Sequence, residues 1–132
     1  MRRKSIYKLG ETEIEVLNLV WELGEASVAD VREKILEYRD VAYTTVMTVM
    51  KNLADKGYLS FKQEGNSYVY SARKPAQEVR TSLLRDLLTN VFRDSPLALV
   101  QTLVQDEEMS PEELEEIKAT IRTLTEEEER DD

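Results

Sequence analysis

Helix-breaking residues are so scarce in this chain that their positions partition it. Only four Gly and three Pro occur in 132 residues: Gly10, Gly24, Gly57 and Gly65, then Pro75, Pro96 and Pro111. Between these markers apolar residues recur at helical spacing, so the expected fold is mainly α. From Gly10 to Gly24, Ile14, Leu17, Val20 and Trp21 form one stripe of a helix, with Thr12 as a candidate N-cap and Gly24 suited to the C′ position. Ser27, with Asp30 three residues on, opens a short second helix carrying Val28, Val31 and Ile35.

A third helix is expected from about Thr44, whose hydroxyl can cap it, to the stop at Gly57, with Val46, Val49, Met50 and Leu53 on its core face. Its opposite face presents Thr45, Met47, Thr48, Lys51, Asn52 and Asp55. Exposed helix positions are more often Glu, Lys, Gln or Arg, and each Thr costs a few tenths of a kcal/mol in helix propensity. A face built this way suits base contact: Thr methyls against thymine methyls, Thr hydroxyls and Asn52 to base edges or phosphate, Lys51 to guanine or phosphate. Two β-prone runs, 58–62 and 68–72, flank Gln63-Glu64-Gly65-Asn66-Ser67 and read as a β-hairpin joined by five residues. Lys62, Asn66 and Tyr68 near its tip are candidate backbone contacts. Three helices and a hairpin in this order describe a winged helix-turn-helix.

Beyond Lys74 the reading is all helical. Val79, Leu83, Leu87 and Val91 mark one stripe, and Leu97, Leu99, Val100, Leu103 and Val104 a short apolar segment after Pro96. Ser110-Pro111-Glu112-Glu113 supplies an N-cap, Pro at N1 and a capping-box Glu, ahead of a heptad-like seam of Leu114, Ile117, Ile121 and Leu124. So small a unit buries too little of this surface alone, and pairing with a second copy is expected. The expected organisation is a winged-helix domain over residues 1–74 and a helical dimerisation domain over 75–132 with an acidic tail.

Charge follows the same division. The net charge is -9, but residues 1–74 hold 12 basic and 11 acidic side chains while residues 75–132 hold 6 and 16. Screening over about 8 Å lets a phosphate-binding surface coexist with a distant acidic segment. With no Cys and no His, thiolate zinc sites, cysteine nucleophiles and the commonest general base are absent, so no enzyme, metal or cofactor is expected. The acidic runs Asp106-Glu107-Glu108 and 126–132 lack the Gly-bearing ligand alternation of a calcium loop and read as a solvated loop and a frayed tail. Arg2, Arg3 and Lys4 form a short basic arm able to reach phosphate. No run is long enough to span a membrane and no signal-peptide core follows the arm, so a soluble, cytoplasmic protein is expected.

The stretch Ala42-Tyr43-Thr44-Thr45-Val46-Met47-Thr48-Val49-Met50, continuing through Leu53 to Leu59, resembles the recognition-helix region of the penicillinase repressor family of winged-helix transcriptional repressors. Leu9-Gly10 to Val20-Trp21 and Tyr68-Val69-Tyr70-Ser71 are similar to its first helix and second wing strand. The resemblance implies a homodimer bound to double-stranded DNA at a palindromic operator, often with TACA/TGTA-like arms, and intertwined C-terminal helices. It further implies contacts from Thr44, Thr45, Thr48 and Lys51, with Lys62 and Tyr68 near the wing. In β-lactam-responsive members an upstream membrane sensor protease acts at an Asn-Phe bond; Thr102-Leu103 stands at that candidate cleavage position in this chain, a departure that counts against the same release. The cysteine cluster of the copper-responsive members is likewise missing. The near-neutral first half also fits a dimeric winged-helix protein-interaction module; a small-molecule-responsive regulator is a further class, though no residue pattern marks an effector pocket.

Overall fold

The computed structural model describes residues 9–106 and 108–131. The basic arm at Arg2, Arg3 and Lys4 therefore lies outside the described residues, as do Glu107 and Asp132. The elements run α1 (Glu11–Leu23), β1 (Glu25–Ser27), α2 (Val28–Leu36), α3 (Tyr43–Asp55), β2 (Leu59–Glu64), β3 (Ser67–Ala72), α4 (Ala76–Asn90), α5 (Pro96–Val104) and α6 (Pro111–Asp131). This is the winged helix-turn-helix order followed by helices. Among the described residues no helix is long and apolar enough to cross a membrane.

Local chemistry explains most boundaries. At α2, Asp30 N–H donates to Ser27 Oγ (3.1 Å) and Ser27 N–H to Asp30 Oδ2 (3.0 Å), a reciprocal capping box. At α6, Glu113 N–H donates to Ser110 Oγ (3.1 Å) and Ser110 N–H to Glu113 Oε1 (3.3 Å). Gly24, at φ 82°, ends α1 by donating to the Val20 carbonyl. Two expected caps are displaced. Thr12 sits inside α1, whose N-cap is Gly10, with the Gly10 N–H donating to Glu13 Oε1 at 2.9 Å. Thr44 sits inside α3, which starts at Tyr43 after the N-cap Ala42 and has no side-chain cap. The final acidic run is not a frayed tail over its described residues, because α6 continues to Asp131.

The sheet is antiparallel in the order β1-β3-β2, and β1 is a strand that the sequence reading did not anticipate. Glu-Ala-Ser carries no strand signature and is held by pairing with β3, Ala26 opposite Tyr70. The hairpin is tighter than expected. Glu64 pairs with Ser67, leaving a two-residue turn at Gly65-Asn66, with Gly65 at φ 61° supplying the positive φ. The five-residue connection is thus corrected to two, and the strands lengthen accordingly.

The chain divides into two compact units, one ending at Asp86 and one beginning at Leu87. The division lies beyond Lys74 because the start of α4 belongs to the first core: Val79 is buried there and Leu83, grouped by sequence with a dimer stripe, packs against it. Trp21 Nε1 donates to the Lys74 carbonyl at 3.1 Å, and Arg80 lies over the Trp21 ring, joining this segment to α1. In the second unit, Ser95 caps α5 by accepting from the Ala98 N–H at 3.1 Å, with Pro96 at N1.

The first core is built by Val16, Leu17 and Val20 of α1, Val31 and Ile35 of α2, and Val46, Met50 and Leu53 of α3, all essentially without exposure. Polar ties then fix the connection entering α3. Arg32 Nε donates to the Val41 carbonyl at 3.0 Å. The Glu15 carboxylate accepts from the Tyr38 hydroxyl and from Arg39, whose Nε lies 3.2 Å away. At the far end of α3, Lys56 Nζ donates to Glu13 at 2.8 Å. The Arg39 guanidinium, joined by the Tyr38 hydroxyl, outweighs the cost of burial and holds the Glu15 carboxyl below its ordinary value of 4.5.

Glu15→Gln is therefore expected to lower the thermal midpoint at neutral pH. A carboxyl whose folded-state pKa is depressed contributes stability that is complete above the ordinary value and is lost as pH falls through the lowered one. The wild-type advantage should shrink in acid, so melting curves of the two proteins converge. A difference that stays constant from about pH 7 to about pH 3 contradicts the clamp.

Candidate nucleic-acid interface

With Val46, Met50 and Leu53 committed to the core, helical geometry turns Thr44, Thr45, Met47, Thr48, Lys51 and Asn52 outward, and all six are exposed. Val49 lies between, packed against the edge of the core. Six expected contact residues of α3 thus share one solvent-facing surface. Its cation is Lys51, which makes no ion pair among the described residues, whereas Lys56 is engaged with Glu13.

The threonines of this face differ from most others on helices, Thr12 of α1 being the exception that likewise makes no side-chain hydrogen bond among the described residues. Thr102, Thr120, Thr123 and Thr125 donate back to the carbonyl four residues earlier, at 2.8–3.0 Å. Thr81 accepts from Gln77, and Thr89 donates to Asp94. Among the described residues the hydroxyls of Thr44, Thr45 and Thr48 make no hydrogen bond at all. An exposed threonine can satisfy itself on its own helix by donating to the carbonyl four residues earlier. Three free hydroxyls on one rigid face form an unspent set of donors and acceptors, interleaved with methyl groups and a methionine.

The hairpin distributes its candidates differently from the sequence expectation. In the observed register Lys62 pairs with Val69 and Gln63 with Tyr68, so Lys62 and Tyr68 project from opposite faces of the ribbon. A five-residue connection would have placed them opposite each other on one face; the shift of one residue separates them. Lys62 Nζ lies 3.3 Å from Glu25 Oε1 and 3.3 Å from Glu64 Oε1. Those carboxylates, Glu64 foremost, push the Lys62 pKa up. Tyr68 lies on the other face with Phe61, ring centroids 5.3 Å apart and edge-on. Asn66 occupies the turn and is exposed. The sequence reading passed over Phe61, although its alternation with Lys62 was a legible signal.

In the second unit Leu97, Val100, Leu103, Ile121 and Leu124 are exposed, as are Val91, Val104 and Thr102, while Leu87, Leu99, Leu114 and Ile117 are half-buried. Leu97, at 67% exposure, has almost none of the cover that an apolar side chain of a lone globular unit usually finds.

The family model for the penicillinase repressor matches residues 9–123. The chain is 25% identical over 112 residues to the methicillin resistance regulatory protein MecI of Mammaliicoccus sciuri, covering 85% of this chain and 91% of that protein. It is 33% identical over 82 residues to the transcriptional regulator BlaI of Mycobacterium tuberculosis, covering 61% and 59%. In fold, it is similar to the solution structure of the DNA binding domain of the repressor BlaI, with a TM-score of 0.50 at 22% identity over 58% of this chain and 93% of that one. The chain belongs to the penicillinase repressor family, whose members are DNA-binding regulators and not enzymes.

Proposed function

We propose that the protein is a transcriptional repressor that binds double-stranded DNA as a homodimer on a palindromic operator, with α3 of each copy in the major groove. The observation that carries this reading is the exposed α3 face with three unspent threonine hydroxyls beside Lys51, on a helix tied to α2 just before its start and to α1 just after its end. Groove readout needs this combination of rigidity and unsatisfied groups, because side chains already bonded to their own helix must break those bonds to read a base. Thr44, Thr45, Met47, Thr48 and Asn52 supply base-edge and methyl contacts, and Lys51 supplies charge. The hairpin flanks the duplex, with Asn66 at its tip.

Dimer formation is supported by the exposed apolar residues of α5 and α6. Leu114, Ile117, Ile121 and Leu124 follow the heptad-like spacing of a helix that meets a partner. A palindrome then follows from the twofold symmetry of the dimer. Occupancy of a promoter by such a dimer excludes polymerase and represses the gene.

Thr48→Ala and Lys51→Ala are each expected to weaken binding to the specific operator by about 1 to 3 kcal/mol, with the thermal midpoint unchanged. Lys51→Ala should also reduce the salt dependence, and wild-type affinity in both variants would refute the recognition face. Ile121→Asp places a charge in the seam and is expected to convert the dimer to monomer in sedimentation, with a parallel loss of operator affinity. A variant that remains dimeric at micromolar concentration rejects the seam.

A further inference from the structure

The hairpin has two chemically distinct faces. Its outer face carries Lys62 between Glu25 and Glu64, so its charged groups sum to one negative charge. The other face is made of Leu59, Phe61 and Gln63 from β2 and Tyr68, Tyr70 and Ala72 from β3, without a charged residue. Leu59 and Tyr70 root this face in the core and are buried. Toward the tip it passes beyond the helical layer, leaving Phe61 56% and Tyr68 49% exposed. Phe61 touches both tyrosine rings, with centroids 5.3 Å from Tyr68 and 5.6 Å from Tyr70. Tyr70 belongs to the same buried cluster as Val46, Met50 and Leu53 of α3, so the aromatic ledge is rooted in the core that seats that helix.

We propose that the wing meets DNA through this aromatic ledge, with Phe61 packed on deoxyribose and the Tyr68 hydroxyl donating to a backbone phosphate, and that Lys62 is not a DNA contact. This rests on the α3 reading given above and names the side of the hairpin that completes it. Charge decides between the faces. An exposed ion pair is weak on its own, and Lys62 could swing toward a phosphate. Doing so would bring Glu25 and Glu64 beside the same polyanion, unpaired, whereas the aromatic face presents no carboxylate to it. Sugar and phosphate contacts of this kind set register on the duplex and carry little base information.

The test uses the full chain and the duplex that it protects upstream of its own gene, titrated at several salt concentrations. Phe61→Ala and Tyr68→Ala are each expected to weaken binding about tenfold without changing the slope of log K against log salt, because neither removes a cation. Lys62→Ala should stay within about twofold of wild type with the same slope. A Lys62→Ala slope flatter by about 0.9, the signature of one lost phosphate contact, overturns the proposal, as does wild-type affinity in both aromatic variants. Because losing an aromatic can loosen the hairpin, the wild-type protein is also titrated against a duplex trimmed at the flank beyond the α3 contacts. Wild type should lose more on trimming than either single variant loses on the full duplex, and Tyr68→Ala should lose about tenfold less than wild type does; no loss by wild type overturns the proposal. Thr48→Ala separates the two readings: if it weakens binding while both aromatic variants and the trimmed duplex do not, α3 reads DNA and the ledge does not. Equal binding of wild type to a shuffled duplex overturns both.

Discussion

The proposed DNA contact depends on how α3 is seated. Val46, Met50 and Leu53 are completely buried against α1 and α2, and a helix with that stripe inside has one orientation available to its opposite face. The seat is reinforced at each end by polar ties: Arg32 to the Val41 carbonyl and Glu15 to Tyr38 and Arg39 before the helix, Lys56 to Glu13 after it. Loss of the core stripe would unfold the domain, whereas loss of a tie would leave it folded with a looser recognition face. Such looseness is costly, since contacts to base edges depend on placement within about 0.5 Å.

The second organising factor is the separation of charge from recognition. The acidic excess lies beyond Lys74, and the described α3 face is close to neutral. On the proposed reading, DNA binding by such a face would lean on hydrogen bonds, methyl contacts and shape, with Lys51 as its own cation, in place of a dense basic patch. The hairpin continues that logic: its lysine lies between two carboxylates, and its uncharged side is the one rooted through Tyr70 in the core cluster that holds α3.

Much of this was legible in the residues. The α3 stripe, the capping boxes at Ser27 and Ser110 and the glycine stop of α1 are local effects, written within four residues of one another. What escaped depends on long-range pairing. β1 exists only because Glu25–Ser27 meets β3, more than 40 residues later. Glu15 and Arg39 are 24 residues apart, and their charges are unremarkable until α1 and the α2–α3 turn are brought together. The side assignment of Lys62 turned on a single residue of register, set by whether the turn holds five residues or two. The extent of α4 in the first core was hidden for a similar reason, since Val79 and Leu83 read equally well as part of a dimer stripe.

If a near-neutral, threonine-rich helix face reads a specific DNA sequence, the purified protein titrated with the DNA upstream of its own gene and with a scrambled duplex, at two salt concentrations about fourfold apart, will strongly prefer the upstream fragment at both. Its salt dependence will be set by a small number of phosphate contacts at about 0.9 each. Equal affinity for the two duplexes at either salt would contradict that reading.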